Sequence, residues 1–216
     1  MGDDITKRLG ACYSGIIHDV MRAMGHTNFT LPPELRPLFP GTVLAGPVFT
    51  IDGKVDPKAD PHETLLAWTG LLSKAKPGHI WTCTPQTMDV ALMGELSAET
   101  LQKKGVLGCI IDGGIRDVDF LLAMKFQSWS RFFTPRDIVG YWLPAGFNVD
   151  IKIGDVIIHP GDYAIGDRDG CCIIPQGIVE EVIEKAEHSI ATENKVRTAI
   201  LDGMDPQAAY MKFGKF

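Results

Sequence analysis

The sequence lacks any apolar run of about 18 residues, so nothing in it reads as a membrane-spanning helix. It also lacks both glycine loops that cradle phosphates, G-x-x-x-x-G-K-[ST] and a G-x-G-x-x-G placed after a strand. Support for a nucleotide cofactor, or for adenosylmethionine, is therefore missing. Its six histidines (His18, His26, His62, His79, His159 and His188) show no H-x-x-x-H spacing, which disfavours zinc. The five cysteines include no C-x-x-C pair and sit in apolar surroundings, so they read as reduced core residues. No lysine lies within an apolar run, and a Schiff-base mechanism is disfavoured. Cationic excess is absent too. With 27 acidic against 21 basic residues the net charge is −6, which argues against nucleic acid as a default partner. A small anion in a locally positive pocket remains compatible with that balance. The opening residues Met1-Gly2-Asp3-Asp4 are acidic and unlike a secretory leader, and the expected compartment is cytoplasmic.

What is present is 216 residues of ordinary globular composition, 45% hydrophobic and 22% charged, enough for one sizeable core. No repeat, low-complexity tract or linker divides the chain, so a single domain over residues 1–216 is expected. Apolar positions Ile5, Leu9, Cys12, Ile16, Val20 and Met24 predict one helix closed by Gly25. A strand is predicted over 42–51, a helix over 63–74, a strand over 79–84 and a helix late in 88–104. The run Val106 to Ile111 reads as a strand buried on both faces, followed by a short helix over 118–125. From 128 to 175 short strands are predicted, separated by turns at Pro144-Ala145-Gly146, Pro160-Gly161-Asp162 and Asp169-Gly170. Residues 177–202 form an amphipathic helix with Val179, Val182, Ile183, Ala186 and Ile190 on one stripe. The fold class is α/β.

Two glycine-marked segments carry the chemistry. Gly94-Glu95-Leu96-Ser97 opens a predicted helix, whose first N–H groups would suit a carboxylate or phosphate. On the local pattern alone, Gly94 could equally relieve a turn and Glu95 complement the helix dipole. Asp112-Gly113-Gly114-Ile115-Arg116-Asp117 follows the buried strand. Two glycines there would let backbone approach a ligand closely or adopt φ > 0. Strand ends are where ligands bind in α/β sheets, and Asp117 offers a hard oxygen for Mg²⁺ or Mn²⁺. The bland alternative is an Arg116–Asp117 surface pair. Gly166-Asp167-Arg168-Asp169-Gly170 looks like a metal loop but reads better as turn chemistry, and Cys171-Cys172 as core.

At these residues the chain resembles the metal-dependent 4-hydroxy-4-methyl-2-oxoglutarate aldolases, which share a fold family with the regulator of ribonuclease activity A. The likeness covers Pro77-Gly78-His79-Ile80, Gly94-Glu95-Leu96, residues 108–117, Pro160-Gly161-Asp162, residues 166–170 and the tail from Tyr210 to Phe216. The aldolase signature is an acid, twenty intervening residues, then Arg-Asp; Glu95, Arg116 and Asp117 meet that spacing. Glu95 stands where the family usually has Asp. The regulator branch lacks the Arg-Asp pair that this chain retains. The resemblance implies a swivelling β/β/α three-layer fold and a homotrimer, sometimes paired into a hexamer. It also implies a class II aldolase that releases pyruvate from a 4-hydroxy-2-oxo acid and decarboxylates oxaloacetate. By the same resemblance, the backbone of Gly94, Glu95, Leu96 and Ser97 holds the pyruvate carboxylate. Arg116 meets the oxo or enolate oxygen, Asp117 holds the divalent cation, and Glu95 orients a water. Glu193 is the match for a carboxylate supplied by a neighbouring subunit. A non-catalytic regulator that binds a protein partner is the alternative.

Overall fold

A computed structural model describes residues 2–216, with side chains from Asp4 onward, so Met1 and the Asp3 side chain of the acidic amino terminus read above lie outside what is described. Two helices open the chain, α1 (Gly2–Gly10) and α2 (Ser14–Ala23). Strand and helix then alternate through β1 (Arg36–Pro37), β2 (Leu44–Val55), α3 (Pro61–Ser73), β3 (Ile80–Thr84), α4 (Glu95–Lys103), β4 (Gly108–Ile111), β5 (Gly114–Ile115) and α5 (Val118–Met124). Short strands follow: β6 (Ser128–Ser130), β7 (Phe132–Phe133), β8 (Trp142–Phe147), β9 (Ile151–Ile153), β10 (Val156–Ile158), β11 (Tyr163–Gly166) and β12 (Cys171–Ile174). A 3₁₀ turn at Gln176–Ile178 leads into α6 (Val179–Leu201), and α7 (Pro206–Phe213) closes the chain. None of the described helices is long and apolar enough to cross a membrane.

The main sheet has eight strands in the order β1-β6-β4-β3-β2-β11-β12, with β8 paired beside β2. Strands β2, β3, β4 and β6 run parallel, as helical crossovers require, and β11 and β12 continue the sheet antiparallel. All four residues of β4 are buried, as the apolar run predicts. Side chains alternate between faces along each strand. Phe49 and Ile51 of β2 pack with Trp81, Ile111 and residues of α3, α4 and α5, such as Trp68, Leu101 and Leu121. Val48 faces the other way, against Ile80, Ile110, Trp129 and the β9–β10 hairpin. Over the antiparallel half, Ile165 and Ile174 pack under α2 and α6 through Ile16, Ile17, Val182 and Ile183. Helices thus cover one face of the sheet and the small hairpin covers the other.

Several sequence expectations need correction. The single helix predicted over 5–24 is two, broken at 11–13, where Tyr13 is extended (φ −135°, ψ 157°). The cause is distant in sequence. The Asp167 carboxylate accepts from Ser14 N–H and from Ser14 Oγ–H, each at 2.7 Å, and so anchors a new helix start there. Asp167 also accepts from Asp169 N–H at 2.9 Å, so the 166–170 loop is a cap and hairpin turn. Pro144-Ala145-Gly146 is not a turn. It lies within β8, where Pro144 and Gly146 pair with Gly53 and Asp52 around a bulge. An edge strand tolerates a proline that cannot donate. Pro160-Gly161-Asp162 is a turn, but it joins β10 to β11 in different sheets. Helix α7 was not foreseen, although its signals are present: Asp205 accepts from Ala208 N–H, Pro206 follows, and Gly214 ends it at φ 68°.

Asp167→Ala should cost about 2 kcal/mol by removing charge-assisted bonds at the start of α2. In a chain of this size that lowers Tm by roughly 4–8 °C. Thermal melting checks this, and an unchanged Tm would contradict the capping role.

Candidate active site

Two loops meet beyond the C-terminal ends of the neighbouring parallel strands β3 and β4. Leu92 N–H donates to Gly114 O at 2.9 Å, and Arg116 N–H donates to Met93 O at 2.8 Å. Ala91 and Gly114 form a parallel bridge. This short ladder brings Gly94, which caps α4, against Arg116 and Asp117. Gly94 is extended (φ −151°), so its backbone does not require glycine. Space does: a Cβ there would lie 2.5 Å from Asp117 Oδ2 and 3.0 Å from Arg116 Cγ.

Asp117 adopts the left-handed region (φ 55°, ψ 39°) at the start of α5, a conformation that costs a non-glycine residue about 1 kcal/mol or more. Its Oδ2 accepts from Glu95 N–H at 3.0 Å and lies 3.5 Å from Arg116 Nε. Arg116 Nη1 lies 3.3 Å from Asp137 Oδ2, so one guanidinium spans two carboxylates. These side chains are partly exposed, and solvated pairs of this kind add little stability. What they fix is the direction of the guanidinium.

The cluster opens on a cavity of about 420 Å³, one wall of which is apolar and built by Leu65, Trp68, Leu72 and Ile138. Gly94, Glu95, Leu96, Ser97, Arg116 and Asp117 all line it. Trp68 Nε1–H donates to Ser97 Oγ at 3.0 Å. Because Glu95 N–H is already taken by Asp117, the first-turn donors of α4 left for a ligand are those of Leu96 and Ser97. Asp137 and the α3 wall carried no motif, and only their tertiary placement identifies them.

Glu193 is not brought to this cavity. It sits on α6 over the antiparallel half, where its carboxylate accepts from Tyr13 Oη–H and lies 3.3 Å from Lys215 Nζ. The Tyr13 phenol is pushed up to about 12, first by burial and then by Glu193.

Gly113 and Gly114 are held by close packing, not by left-handed backbone. Neither has positive φ, and added Cβ atoms would meet Pro85 Cγ at 2.8 Å and the Phe132 ring at 2.7 Å. Gly114 lets β5 pair with β7 under close packing, and Gly113 fits against Pro85. Asp112 is buried and bound to Arg131 Nε at 2.5 Å, with Glu34 3.3 Å from Arg131 Nη1. It is a structural ion pair, separate from Arg116. All five cysteines are buried and unpaired, and burial raises every thiol, Cys109 to about 12 and Cys172 to about 11. None is a poised thiolate.

Among the described residues no cluster of three or more His, Cys, Asp or Glu side chains could enclose a metal. A hard cation such as Mg²⁺ or Mn²⁺ does not need one, since one or two carboxylates with waters and substrate complete its shell. Asp117 fits that role: Oδ2 is engaged by Glu95, and Oδ1 has no hydrogen-bond partner among the described residues.

Fold and site together describe a mixed α/β protein with an arginine–carboxylate centre at the ends of parallel strands. The chain belongs to the RraA-like family: the Aldolase/RraA family model matches residues 15–173. A protein of Halalkalibacterium halodurans named as a candidate 4-hydroxy-4-methyl-2-oxoglutarate aldolase is 28% identical over 193 residues, 87% of this chain and 85% of that one. An uncharacterized protein of Methanocaldococcus jannaschii is 36% identical over 118 residues, a match spanning 54% of this chain and 56% of the relative's length. Among solved structures, an uncharacterized protein of Pseudomonas syringae superposes with a TM-score of 0.88 at 21% identity, over 99% of this chain and 95% of that chain. The Streptomyces coelicolor RraAS2, described as an unusual member of the RNase ES inhibitor RraA family, gives 0.80 at 20% identity, over 90% and 96%. At those identities the likeness is one of fold, a mixed α/β architecture with a curled, half-barrel sheet.

Removing Asp112 would leave the Arg131 charge with Glu34 alone. Asp112→Ala should therefore cost about 3 kcal/mol and lower Tm by roughly 6–12 °C. Calorimetry reads this, and a loss of Mg²⁺ binding without destabilisation would instead put Asp112 in the metal site.

Proposed function

We propose that this chain is a divalent-metal-dependent class II aldolase. It cleaves a 4-hydroxy-2-oxo acid of the 4-hydroxy-4-methyl-2-oxoglutarate type to pyruvate, and decarboxylates oxaloacetate through the same enolate. The observation that carries the proposal is the convergence of Glu95, Arg116, Asp117 and the start of α4 on one cavity with an apolar wall. The family match and the named Halalkalibacterium relative support it.

In this reading the N–H groups of Leu96 and Ser97 hold the substrate's 1-carboxylate at the positive end of α4. Arg116, steadied between Asp117 and Asp137, faces the 2-oxo oxygen. As the C3–C4 bond breaks, its electron pair passes toward that oxygen and the 4-hydroxyl proton leaves to a base. The fixed guanidinium stabilises the developing enolate charge, an effect usually worth several kcal/mol. Asp117 would hold Mg²⁺ or Mn²⁺, which supplies Lewis-acid polarisation of the 2-oxo group when bound. Glu95 orients the water that returns a proton to C3, and the apolar wall limits other water.

The proposal extends to a homotrimer or hexamer in which a neighbouring copy supplies Glu193. The exposed apolar side chains of Leu65 and Leu96, which line the cavity, support such a cover. The layering of helices, sheet and hairpin supports the swivelling β/β/α arrangement. Five buried, unpaired cysteines suit a reducing cytoplasm.

Arg116→Ala and Asp117→Ala should each lower kcat/KM for oxaloacetate by about 10³-fold with little change in Tm, and EDTA should abolish wild-type turnover. Full activity in either variant sinks the site assignment. No turnover by the wild type with any divalent metal would favour the protein-binding regulator. Gly94→Ala, by displacing Asp117, should cost on the order of 10²-fold in turnover, measured in the same assay.

A further inference from the structure

Resting on the aldolase reading of the cavity, we infer that Ser97 gives the substrate carboxylate a side-chain hydrogen bond. Trp68 is the positioning residue that turns the Ser97 hydroxyl proton toward it. The argument begins with what each group can do. An indole N–H only donates. Trp68 Nε1–H points at Ser97 Oγ at 3.0 Å, so Ser97 is the acceptor in that bond and its single proton must go elsewhere.

Hydroxyls on helices usually return that proton to the carbonyl three or four residues earlier, and this chain shows the habit. Thr69 donates to Leu65 O, Ser73 to Thr69 O and Thr100 to Leu96 O. Ser97 does not. Its hydroxyl donates no hydrogen bond among the described residues, and it lines the cavity beside Glu95 and Arg116. The donor that holds it is rigid. Trp68 is 7% exposed and meets Trp81 and Trp142 edge-on, with centroids 5.9 and 5.8 Å away. Its N–H therefore has one direction, and Ser97 Oγ is fixed as an acceptor on that side. A carboxylate seated on the Leu96 and Ser97 N–H groups lies next to the same residue's free hydroxyl proton. The site would then offer three neutral donors from one helical turn, with Arg116 opposite.

The test is pyruvate binding to the intact protein with Mg²⁺, by titration calorimetry, with wild-type oxaloacetate turnover measured in parallel. Ser97→Ala should weaken binding about tenfold, the scale of a hydrogen bond to a charged group, and Ser97→Thr should restore it. Trp68→Phe removes the N–H while keeping an aromatic ring in the core, and should weaken binding several-fold. The Trp68→Phe/Ser97→Ala double variant should bind no more weakly than Ser97→Ala alone, because the indole acts only through the hydroxyl. A merely structural tryptophan would give effects that multiply. With wild type binding pyruvate, an unaffected Ser97→Ala variant, a Ser97→Thr variant as weak as Ala, or a multiplicative cycle overturns this inference alone. A wild type that neither binds pyruvate nor turns over oxaloacetate overturns the aldolase reading and this inference with it.

Discussion

Two backbone hydrogen bonds, Leu92 N–H to Gly114 O and Arg116 N–H to Met93 O, tie together loops that leave adjacent parallel strands. Everything in the candidate site is referred to that ladder. It sets the start of α4 beside the Arg116-Asp117 pair at a distance where one carboxylate can accept from Glu95 N–H. The pairing is possible because β3 and β4 are neighbours in register, Ile80 opposite Gly108 and Cys83 opposite Ile111, so their loops emerge side by side. The parallel sheet therefore does more than fill a core. It delivers two chain segments, separated by twenty residues, to one point.

Close approach has steric conditions, and glycine meets them by size more than by conformational freedom. Gly94 leaves room for the Asp117 carboxylate, Gly114 for the Phe132 ring, and Gly113 for Pro85. The one uncommon backbone conformation at the site belongs to a non-glycine, Asp117 at φ 55°. Backbone strain at that residue is the kind of local cost that a surrounding structure must over-determine. Here the Glu95 N–H bond, the Arg116 side chain and the start of α5 all constrain it.

The electrostatic organisation follows a similar division. Arg131 and the buried Asp112 form a half-buried pair whose role is cohesion, while Arg116 stays partly exposed between Asp117 and Asp137 at the mouth of the cavity. Only the second arrangement leaves a guanidinium open to a small anion. The protein's net negative charge is thus no guide to the sign of this pocket. The indole cluster of Trp68, Trp81 and Trp142 backs the site with a rigid apolar surface. Through Ser97 it reaches the same helical turn that the ladder positions.

Local pattern determined a good deal. The Glu95–Arg116–Asp117 spacing was legible through the family resemblance, and the buried β4 run, the crossover helices and the long α6 because each depends on residues near in sequence. So were the free, buried cysteines. The break between α1 and α2 was not, since the Asp167 carboxylate that anchors Ser14 arrives from a hairpin 153 positions away. Pro144 read as a turn because proline usually ends strands, yet the exposed edge of β8 tolerates it. The glycine pair at 113–114 packs against Pro85 and Phe132, which no local pattern names. Asp137, Trp68 and the α3 wall were invisible for the same reason. The sequence by itself determined which chemical groups are available and their order along strands and helices, because short-range sterics and hydrophobic period are written locally. Which carboxylates share Arg116, which N–H groups stay free, and where Glu193 lies were decided only by tertiary packing, since those distances depend on how separate elements dock.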